Sequence, residues 1–197
     1  FEVRGEGYTP MELRTILEWE IAPKMREVVG VTEINTHGGF YKTYEIRPYP
    51  DRLTSHGLTF EDLFAAVEGN NSSAGGGYFV HFDEQRFIRG QALLATTDDI
   101  RSIVIRRDEK GSPLLVRDVA DVVPAPMTRQ GAVTRDGRGE AVTGLCMMLI
   151  GENSRRVVER ARKRLEQIEP TLPPGVTIDV IYDRADLIGR TLKTVVK

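Results

Sequence analysis

The sequence is poor in cysteine and has no long apolar run. Its 197 residues include one cysteine, Cys146, which excludes an intrachain disulfide and a metal site built from several thiolates. The longest unbroken apolar run, Leu145–Ile150, has six residues, whereas a helix that spans a bilayer needs about twenty. The sequence as it stands therefore predicts a soluble chain.

An excess of either charge is also missing. The 27 lysines and arginines nearly balance 29 aspartates and glutamates, which leaves a formal net charge of −2. Because phosphate binding needs a clustered basic surface, this balance argues against nucleic acid as a partner. With 40% hydrophobic and 28% charged residues, the composition is typical of a globular protein of one large or two small domains.

The start of the chain lacks the usual signals. The sequence begins at Phe1, in what its pattern predicts to be a strand, without an initiating methionine or a signal peptide. We therefore expect this chain to be a piece of a longer protein, and its ends do not indicate a compartment.

Enzyme signatures are missing as well. The sequence has no Gly-x-Ser-x-Gly elbow, no Gly-x-x-x-x-Gly-Lys phosphate loop and no His-Glu-x-x-His helix. The run Gly75–Gly77 is followed by no basic or hydroxyl-bearing helix, so we interpret it as part of a turn or flexible tip. The sequence thus predicts neither an enzyme nor a cofactor.

What the sequence does have is a set of clear helix starts. The predicted capping residues are Thr9 (with Glu12), Thr59 (with Asp62), Thr97, and either Asn153 or Ser154. Pro23 lies inside the first helical pattern and is expected to kink or end it.

The order of strands and helices predicts an α+β fold, an α/β sandwich of small sheets with helices on one face. Two seams, Gly38-Gly39 and Pro124–Pro126, interrupt the pattern and enclose a middle block. Because the two ends of an insertion lie close together in space, the flanking segments are expected to rejoin as one domain. The sequence therefore predicts two split βαβ (ferredoxin-like) subdomains, the second inserted into the first.

The side chains that suggest metal binding are few. His81, Asp83 and Glu84 lie at a predicted hairpin end and are ligand types that divalent ions use, although a solvated turn is the favoured interpretation. Cys146-Met147-Met148 offers soft sulfur atoms, but successive side chains of a strand point to opposite faces and cannot converge on one ion. His37 is most simply interpreted as an exposed residue at a strand end, and His56 as part of a turn.

Residues 155–164 form a basic run. It contains Arg155, Arg156, Arg160, Arg162, Lys163 and Arg164. Glu159 and Lys163 have the spacing of an ion pair on one helix face, and no aromatic residue is interleaved for base stacking. We interpret the run as a solvated helix face.

Specific strings go beyond these patterns. In order along the chain they are Gly7-Tyr8-Thr9-Pro10-Met11-Glu12-Leu13-Arg14, Gly75-Gly76-Gly77-Tyr78, Val116-Arg117-Asp118-Val119-Ala120, Gly151-Glu152-Asn153-Ser154-Arg155, Leu172-Pro173-Pro174-Gly175-Val176 and Tyr182-Asp183-Arg184. Together they closely resemble the heavy-metal efflux branch of the resistance–nodulation–division (RND) transporters, over essentially the whole chain.

The resemblance implies a periplasmic part of a Gram-negative inner-membrane pump. Residues 1–39 and 127–183 would form one porter subdomain, residues 40–126 an inserted docking subdomain, and residues 184–197 a lead toward the second membrane helix. The parent would be a homotrimeric cation/proton antiporter in a tripartite system with a periplasmic adaptor (membrane fusion) protein and an outer-membrane channel. Its substrate would be a heavy-metal cation, either monovalent copper or silver or divalent zinc, cobalt or nickel.

The resemblance carries no metal ligand onto this chain. It suggests His37 and Tyr182 as residues that line the substrate cleft, where imidazole either binds a borderline ion or replaces an aromatic ring. A soluble periplasmic metal-binding protein that uses His81, Asp83 and Glu84 remains the alternative function.

Overall fold

A computed structural model describes residues 1–82, 84–107, 111–129 and 131–195. The chain divides into two compact units. We call Phe1–Lys42 with Pro126–Lys197 the discontinuous unit and Thr43–Ala125 the inserted unit.

The elements are numbered in chain order. The strands are β1 (Glu2–Gly5), β2 (Val31–His37), β3 (Lys42–Pro48), β4 (Ser72–His81), β5 (Glu84–Ala92), β6 (Val104–Arg107), β7 (Pro113–Leu115), β8 (Ala120–Pro126), β9 (Val142–Met148) and β10 (Val176–Asp179). The α-helices are α1 (Pro10–Ile16), α2 (Ala22–Arg26), α3 (Pro50–Ser55), α4 (Phe60–Gly69), α5 (Thr97–Arg101), α6 (Val116–Val119), α7 (Ser154–Ile168) and α8 (Arg184–Val195).

The discontinuous unit is built on a four-stranded antiparallel sheet with the strand order β10-β1-β9-β2. Two strand–helix–strand segments, β1 to β2 and β9 to β10, interleave in this sheet as a split βαβ fold. Val3, Ile34 and Val142 are buried with the apolar faces of the first helical segment and α7. The predicted α+β fold is confirmed.

Pro23 does not end the first helical segment, so that part of the prediction is wrong, whereas the kink stays a prediction. Residues Leu17–Ile21 form a π-helical turn between α1 and α2, in which Ala22 N–H donates to the carbonyl of Leu17. A wider turn accommodates Pro23, which has no N–H and whose ring would clash with a carbonyl four residues earlier in an α-helix. Leu17, Ile21 and Met25 are fully buried, so the segment keeps one apolar face on the sheet.

The helix caps follow the local sequence closely. The hydroxyls of Thr9 and Thr59 accept from the N–H groups of Glu12 and Asp62, at 3.3 and 3.2 Å, and both capping boxes are confirmed. The short helix α5 begins one residue earlier than expected.

The remaining two caps are also settled. Thr96, not Thr97, caps α5 and forms a box with Asp99, because Asp99 lies three residues from it. Of the two candidates for α7, Asn153 is the cap, and its Oδ1 accepts from Arg156 N–H at 3.2 Å.

The inserted unit pairs its strands two by two, β3 with β8, β4 with β5 and β6 with β7. Its core includes the fully buried side chains of Val116, Val119 and Val122, with Leu53 and Leu63 contributed by α3 and α4.

Two segments of the inserted unit differ from the sequence prediction. The glycine-rich stretch, expected to be a turn, belongs to β4, which pairs with β5 as far as Ser72 opposite Ala92. An irregularity between Gly75 and Tyr78 lets the ladder continue through the glycines. Strand β8 continues to Pro126 instead of ending before Pro124. It belongs to a two-stranded sheet, so one of its edges has no neighbouring strand, and a proline, which has no N–H to donate, is tolerated on that edge.

None of the described helices combines the length and the apolar character that crossing a membrane requires.

Candidate functional site

A cavity of about 450 Å³ lies in the discontinuous unit beside the end of β2. Its lining includes Arg14, His37, Tyr41, Met127 and Arg129, together with Gly38 and Gly39. These residues come from α1, from the end of β2, and from the two segments that lead to and from the inserted unit. We call those two segments, residues 39–41 and 127–129, the neck.

His37 is the last residue of β2 and lies opposite Thr143 of β9. Its side chain is exposed at the cavity. The next residue, Gly38, has a φ of +75°, and a Cβ at that position would lie 1.9 Å from the carbonyl oxygen of Ala141. Only glycine fits this close approach, so the chain turns sharply after His37 and leaves it at the strand end.

Arg14 connects the first helix to the neck. Its Nη1 donates to the carbonyl of Gly38 at 2.9 Å, and its guanidinium lies 5.7 Å from the centroid of the Tyr41 ring. Nη2 lies 3.5 Å from a carboxylate oxygen of Glu18. Arg14 is thus held by a backbone carbonyl, an aromatic ring and a carboxylate.

Arg129 occupies the other neck segment. Its guanidinium lies 4.5 Å from the centroid of the Phe40 ring and forms an ion pair with Glu140. The two segments also bond directly, because Met127 N–H donates to the carbonyl of Tyr41 at 2.9 Å.

The cavity lining is more basic than acidic. Two arginines and His37 face it, while none of its described lining residues carries a carboxylate. This charge balance disfavours a tightly held metal cation, although Glu18 and Glu140 partly neutralise the arginines from outside the lining. Among the described residues, no three His, Cys, Asp or Glu side chains are grouped as a metal site requires. His37 and Met127 are the lining residues with borderline and soft donor atoms.

Tyr182 lies elsewhere in the discontinuous unit. It follows β10, which forms the edge of the sheet opposite to β2, so β1 and β9 separate its strand from that of His37. Its side chain is exposed. The structure therefore does not bring His37 and Tyr182 together within this unit.

The other metal-binding candidates form no group of three ligands among the described residues. His81 pairs with Glu84 across the end of the β4–β5 hairpin, and its ring packs edge-on against Phe82. Glu84 forms an ion pair with Arg86 at 3.1 Å, and Asp83 lies outside the described residues.

The sulfur atoms of β9 point to two faces. Cys146 and Met148 pack against the core, whereas Met147 is exposed. Burial raises the pKa of the Cys146 thiol above its ordinary value, which keeps the thiol protonated and a weak ligand.

Several basic residues of α7 have partners within the chain. Arg155 pairs with Glu159 at 3.0 Å and Arg162 with Asp183 at 2.7 Å, while Arg160 Nη1 donates to the carbonyl of Val29. Glu159 was expected to pair with Lys163, four residues later, but it pairs with Arg155, four residues earlier.

A charged cluster on the sheet was not foreseen from the sequence. Glu2, 6% exposed, accepts from Arg4 at 2.8 Å and also from Arg135, while Arg135 donates to Asp179 at 2.7 Å. Although burial raises the pKa of Glu2, hydrogen bonds from the two arginines bring it below its ordinary value. The hydrogen bond from Arg135 likewise lowers the pKa of Asp179. Arg135 lies 133 residues from Glu2 and 44 residues from Asp179, so no local spacing signals these two contacts.

Known proteins match the whole chain. Residues 1–197 match the model of the AcrB/AcrD/AcrF family. The cobalt-zinc-cadmium resistance protein CzcA of Cupriavidus metallidurans is 42% identical over 193 residues, which cover 98% of this chain and 18% of CzcA. The cation efflux system protein CusA of Escherichia coli is 32% identical over 181 residues, covering 92% of this chain and 17% of CusA.

The fold matches as well. A crystal structure of a heavy metal efflux pump superposes with a TM-score of 0.83 at 24% identity, over 98% of this chain and 19% of that one. The chain thus spans less than a fifth of the length of these relatives. The resemblance seen in the sequence strings is confirmed, and the chain belongs to the AcrB/AcrD/AcrF family, in the heavy-metal efflux branch of the RND transporters.

Proposed function

We propose that this chain is the periplasmic part of a proton-driven heavy-metal cation efflux transporter in the inner membrane of a Gram-negative bacterium. The observation that carries this proposal is the match along the full chain to relatives named for cation efflux and metal resistance, one of them at 42% identity. The activity is cation/proton antiport by the parent protein rather than an enzymatic reaction.

The discontinuous unit supplies the porter function in this proposal. Residues 1–39 and 127–183 form the subdomain that borders the substrate cleft, and residues 184–197 lead toward the second membrane helix. Support for a cleft-lining role of His37 comes from its exposed position at a cavity whose walls are held by Arg14 and Arg129. Tyr182 lines the cleft from the opposite edge of the sheet. Among the described residues, neither His37 nor Tyr182 belongs to a group of three metal ligands, which suits a cation that must pass on.

The docking subdomain, residues 40–126, contains the inserted unit and supplies docking and trimer contacts. Support comes from the β4–β5 hairpin, where Tyr78 is 61% exposed and Phe82 is 90% exposed. Phe79 and Val80 are exposed too, so both faces of the ribbon present apolar side chains. A second copy of the chain in the parent homotrimer is the occupant we propose. The remaining partners are the periplasmic adaptor and the outer-membrane channel of a tripartite system.

A growth assay tests the function. The full-length parent is expressed in a Gram-negative strain that lacks its own metal pumps, and tolerance to copper, silver, zinc, cobalt and nickel is measured. The parent is expected to raise tolerance to at least one of these ions. No rise for any of them, with the protein present in the membrane, would contradict the proposal.

The same assay tests His37 separately. His37→Ala is expected to lower the metal tolerance that the parent confers. His37→Phe keeps a ring but no metal-binding nitrogen, so tolerance stays low if His37 is a ligand and is retained if its ring only shapes the cleft. His56→Ala is the matched control, because His56 is exposed at the end of α3 in the inserted unit. Wild-type tolerance in His37→Ala would contradict a cleft-lining role of His37 but would not affect the assignment of the parent as a transporter.

A further inference from the structure

A short hairpin connects the neck to β9. Thr134 pairs antiparallel with Glu140, and Ala141 N–H donates to the carbonyl of Val133 at 2.8 Å. Five residues, 135–139, separate the bridged pair, and Arg138 N–H donates to the carbonyl of Arg135 at 3.0 Å across a turn at Asp136-Gly137, where φ is 53° and 66°. We call residues 133–141 the latch hairpin.

One strand of the latch hairpin holds the neck. The Glu140 carboxylate accepts from Gly39 N–H at 3.1 Å and from the guanidinium of Arg129. Gly39 belongs to the segment that leads to the inserted unit, and Arg129 to the segment that returns from it. The Glu140 side chain is 18% exposed, so water competes weakly for these charge-assisted bonds. A single carboxylate therefore ties both neck segments to one point.

The other strand is fixed to the sheet. Arg135 bonds the carboxylates of Glu2 on β1 and Asp179 on β10. These strands lie on the side of the sheet away from β2, the strand that enters the neck. The latch hairpin thus reaches from the neck to the far pair of strands within the discontinuous unit.

We propose that the latch hairpin sets the conformation of the neck, with Glu140 as the positioning residue that holds both neck segments and Arg135 as the anchor that fixes the hairpin to β1 and β10. Without Glu140, the described ties at the neck still include the Met127–Tyr41 backbone bond, the hydrogen bond from Arg14 to the Gly38 carbonyl and the arginine–ring contacts. This inference concerns the connection between the units and holds whether or not the parent transports metal.

Amide hydrogen exchange, followed by NMR on the 197-residue chain, tests the role of Glu140. Glu140→Ala is expected to raise exchange at the amides of Gly39 and Met127 by about tenfold, because a bond to a charged group is lost at the neck. Leu149 N–H, which donates to the carbonyl of Gly30 at 3.0 Å, serves as the reference amide in the same unit. Glu159→Ala is the control, since Glu159 is also paired with an arginine but lies on the exposed face of α7.

Glu140→Gln gives the sharper signature. In this variant the side-chain amide oxygen still accepts from Gly39 N–H but carries no negative charge to pair with Arg129. The amide of Gly39 is therefore expected to exchange more slowly than in Glu140→Ala. Unchanged exchange at Gly39 and Met127 in Glu140→Ala would overturn the proposal. A rise of the same factor at Leu149 would also overturn it, because the substitution would then only lower global stability.

Arg135→Ala tests the anchor. Exchange is expected to rise at Ala141, whose amide closes the latch hairpin, and also at Gly39 in the neck. A rise confined to Ala141 would show that the hairpin loosens without moving the neck, and would overturn the anchoring role of Arg135.

Discussion

A Cβ placed on Gly38 would lie 1.9 Å from the carbonyl oxygen of Ala141, so the chain after β2 and the end of the latch hairpin are in contact through backbone atoms. Gly38 also has a φ of +75°, which side chains rarely adopt. Gly38-Gly39 interrupts the strand pattern in the sequence, and this contact explains why position 38 requires glycine.

Gly38→Ala is therefore expected to lower the free energy of unfolding by about 3 kcal/mol, because the methyl group adds a clash to a strained φ. Gly7→Ala is the control, since Gly7 has a φ of +84° but nothing lies within 4 Å of its Cβ position. Backbone strain alone predicts a loss of about 1 kcal/mol there. Urea denaturation followed by circular dichroism measures both, and equal losses would contradict the close packing at Gly38.

The cap of α7 distinguishes two adjacent polar residues. Asn153→Ala is expected to cost about 1 kcal/mol, because Arg156 N–H loses its acceptor. Ser154→Ala changes no cap bond and is expected to stay within about 0.5 kcal/mol of wild type. Thermal unfolding compares the two, and a larger effect at Ser154 would mean that the helix begins differently.

The charged cluster predicts how stability depends on pH. The folded pKa values of Glu2 and Asp179 lie below their ordinary values of 4.5 and 3.8. Their contribution to stability is therefore fully present above those ordinary values and is lost as the pH falls through the lower folded values. Arg135→Ala removes one of the two arginines that lie against both carboxylates and leaves Arg4, so the variant is expected to lose less stability on acidification than wild type.

Urea denaturation of both proteins, from about pH 6 down to about pH 3, measures that difference. Arg155→Ala is the control, because Arg155 belongs to an exposed pair on α7, and its acid profile is expected to match wild type. Parallel wild-type and Arg135→Ala profiles would show that the cluster is not the source of acid sensitivity.

The insertion can be removed in one step. Met127 N–H bonds the carbonyl of Tyr41 at 2.9 Å, so the ends of the inserted unit are adjacent. Deletion of residues 43–125, with a short glycine bridge from Lys42 to Pro126, is expected to leave a folded four-stranded sheet. Dispersed amide resonances in an NMR spectrum would support this, whereas a random-coil spectrum would count against the discontinuous unit as an independent fold.

Metal titration separates the proposed function from its alternative. Calorimetry of the 197-residue chain with zinc or monovalent copper is expected to show no binding at micromolar affinity, since no three of the described donors are grouped as a metal site requires. Micromolar binding that disappears in His81→Ala would favour the soluble metal-binding protein.

Local chemistry explains which elements the sequence could predict. The capping boxes at Thr9 and Thr59 depend on residues three positions apart, so their spacing is visible in the sequence. Pro23 does not end the helical segment as predicted, because a π-helical turn, which leaves no simple sequence mark, accommodates it. The glycine-rich part of β4 was misread for a similar reason, since only the pairing with β5 makes it a strand.

The site was less predictable than the fold. His37 was identified through family resemblance, while Arg14, Arg129 and Glu140 were not, although they hold the cavity walls and the neck. Glu140 contacts Gly39 across 101 residues, and Arg135 contacts Glu2 across 133. Such pairs form only when segments from both sides of the insertion fold together in the discontinuous unit, and no short window of sequence contains both partners.

Metal flux through the purified full-length parent in liposomes tests the central claim most directly. We expect a heavy-metal cation to cross the membrane when a proton gradient is imposed, and the flux to stop when an uncoupler collapses that gradient. Flux that persists without the gradient, or no flux of copper, silver, zinc, cobalt or nickel, would contradict a proton-driven metal exporter.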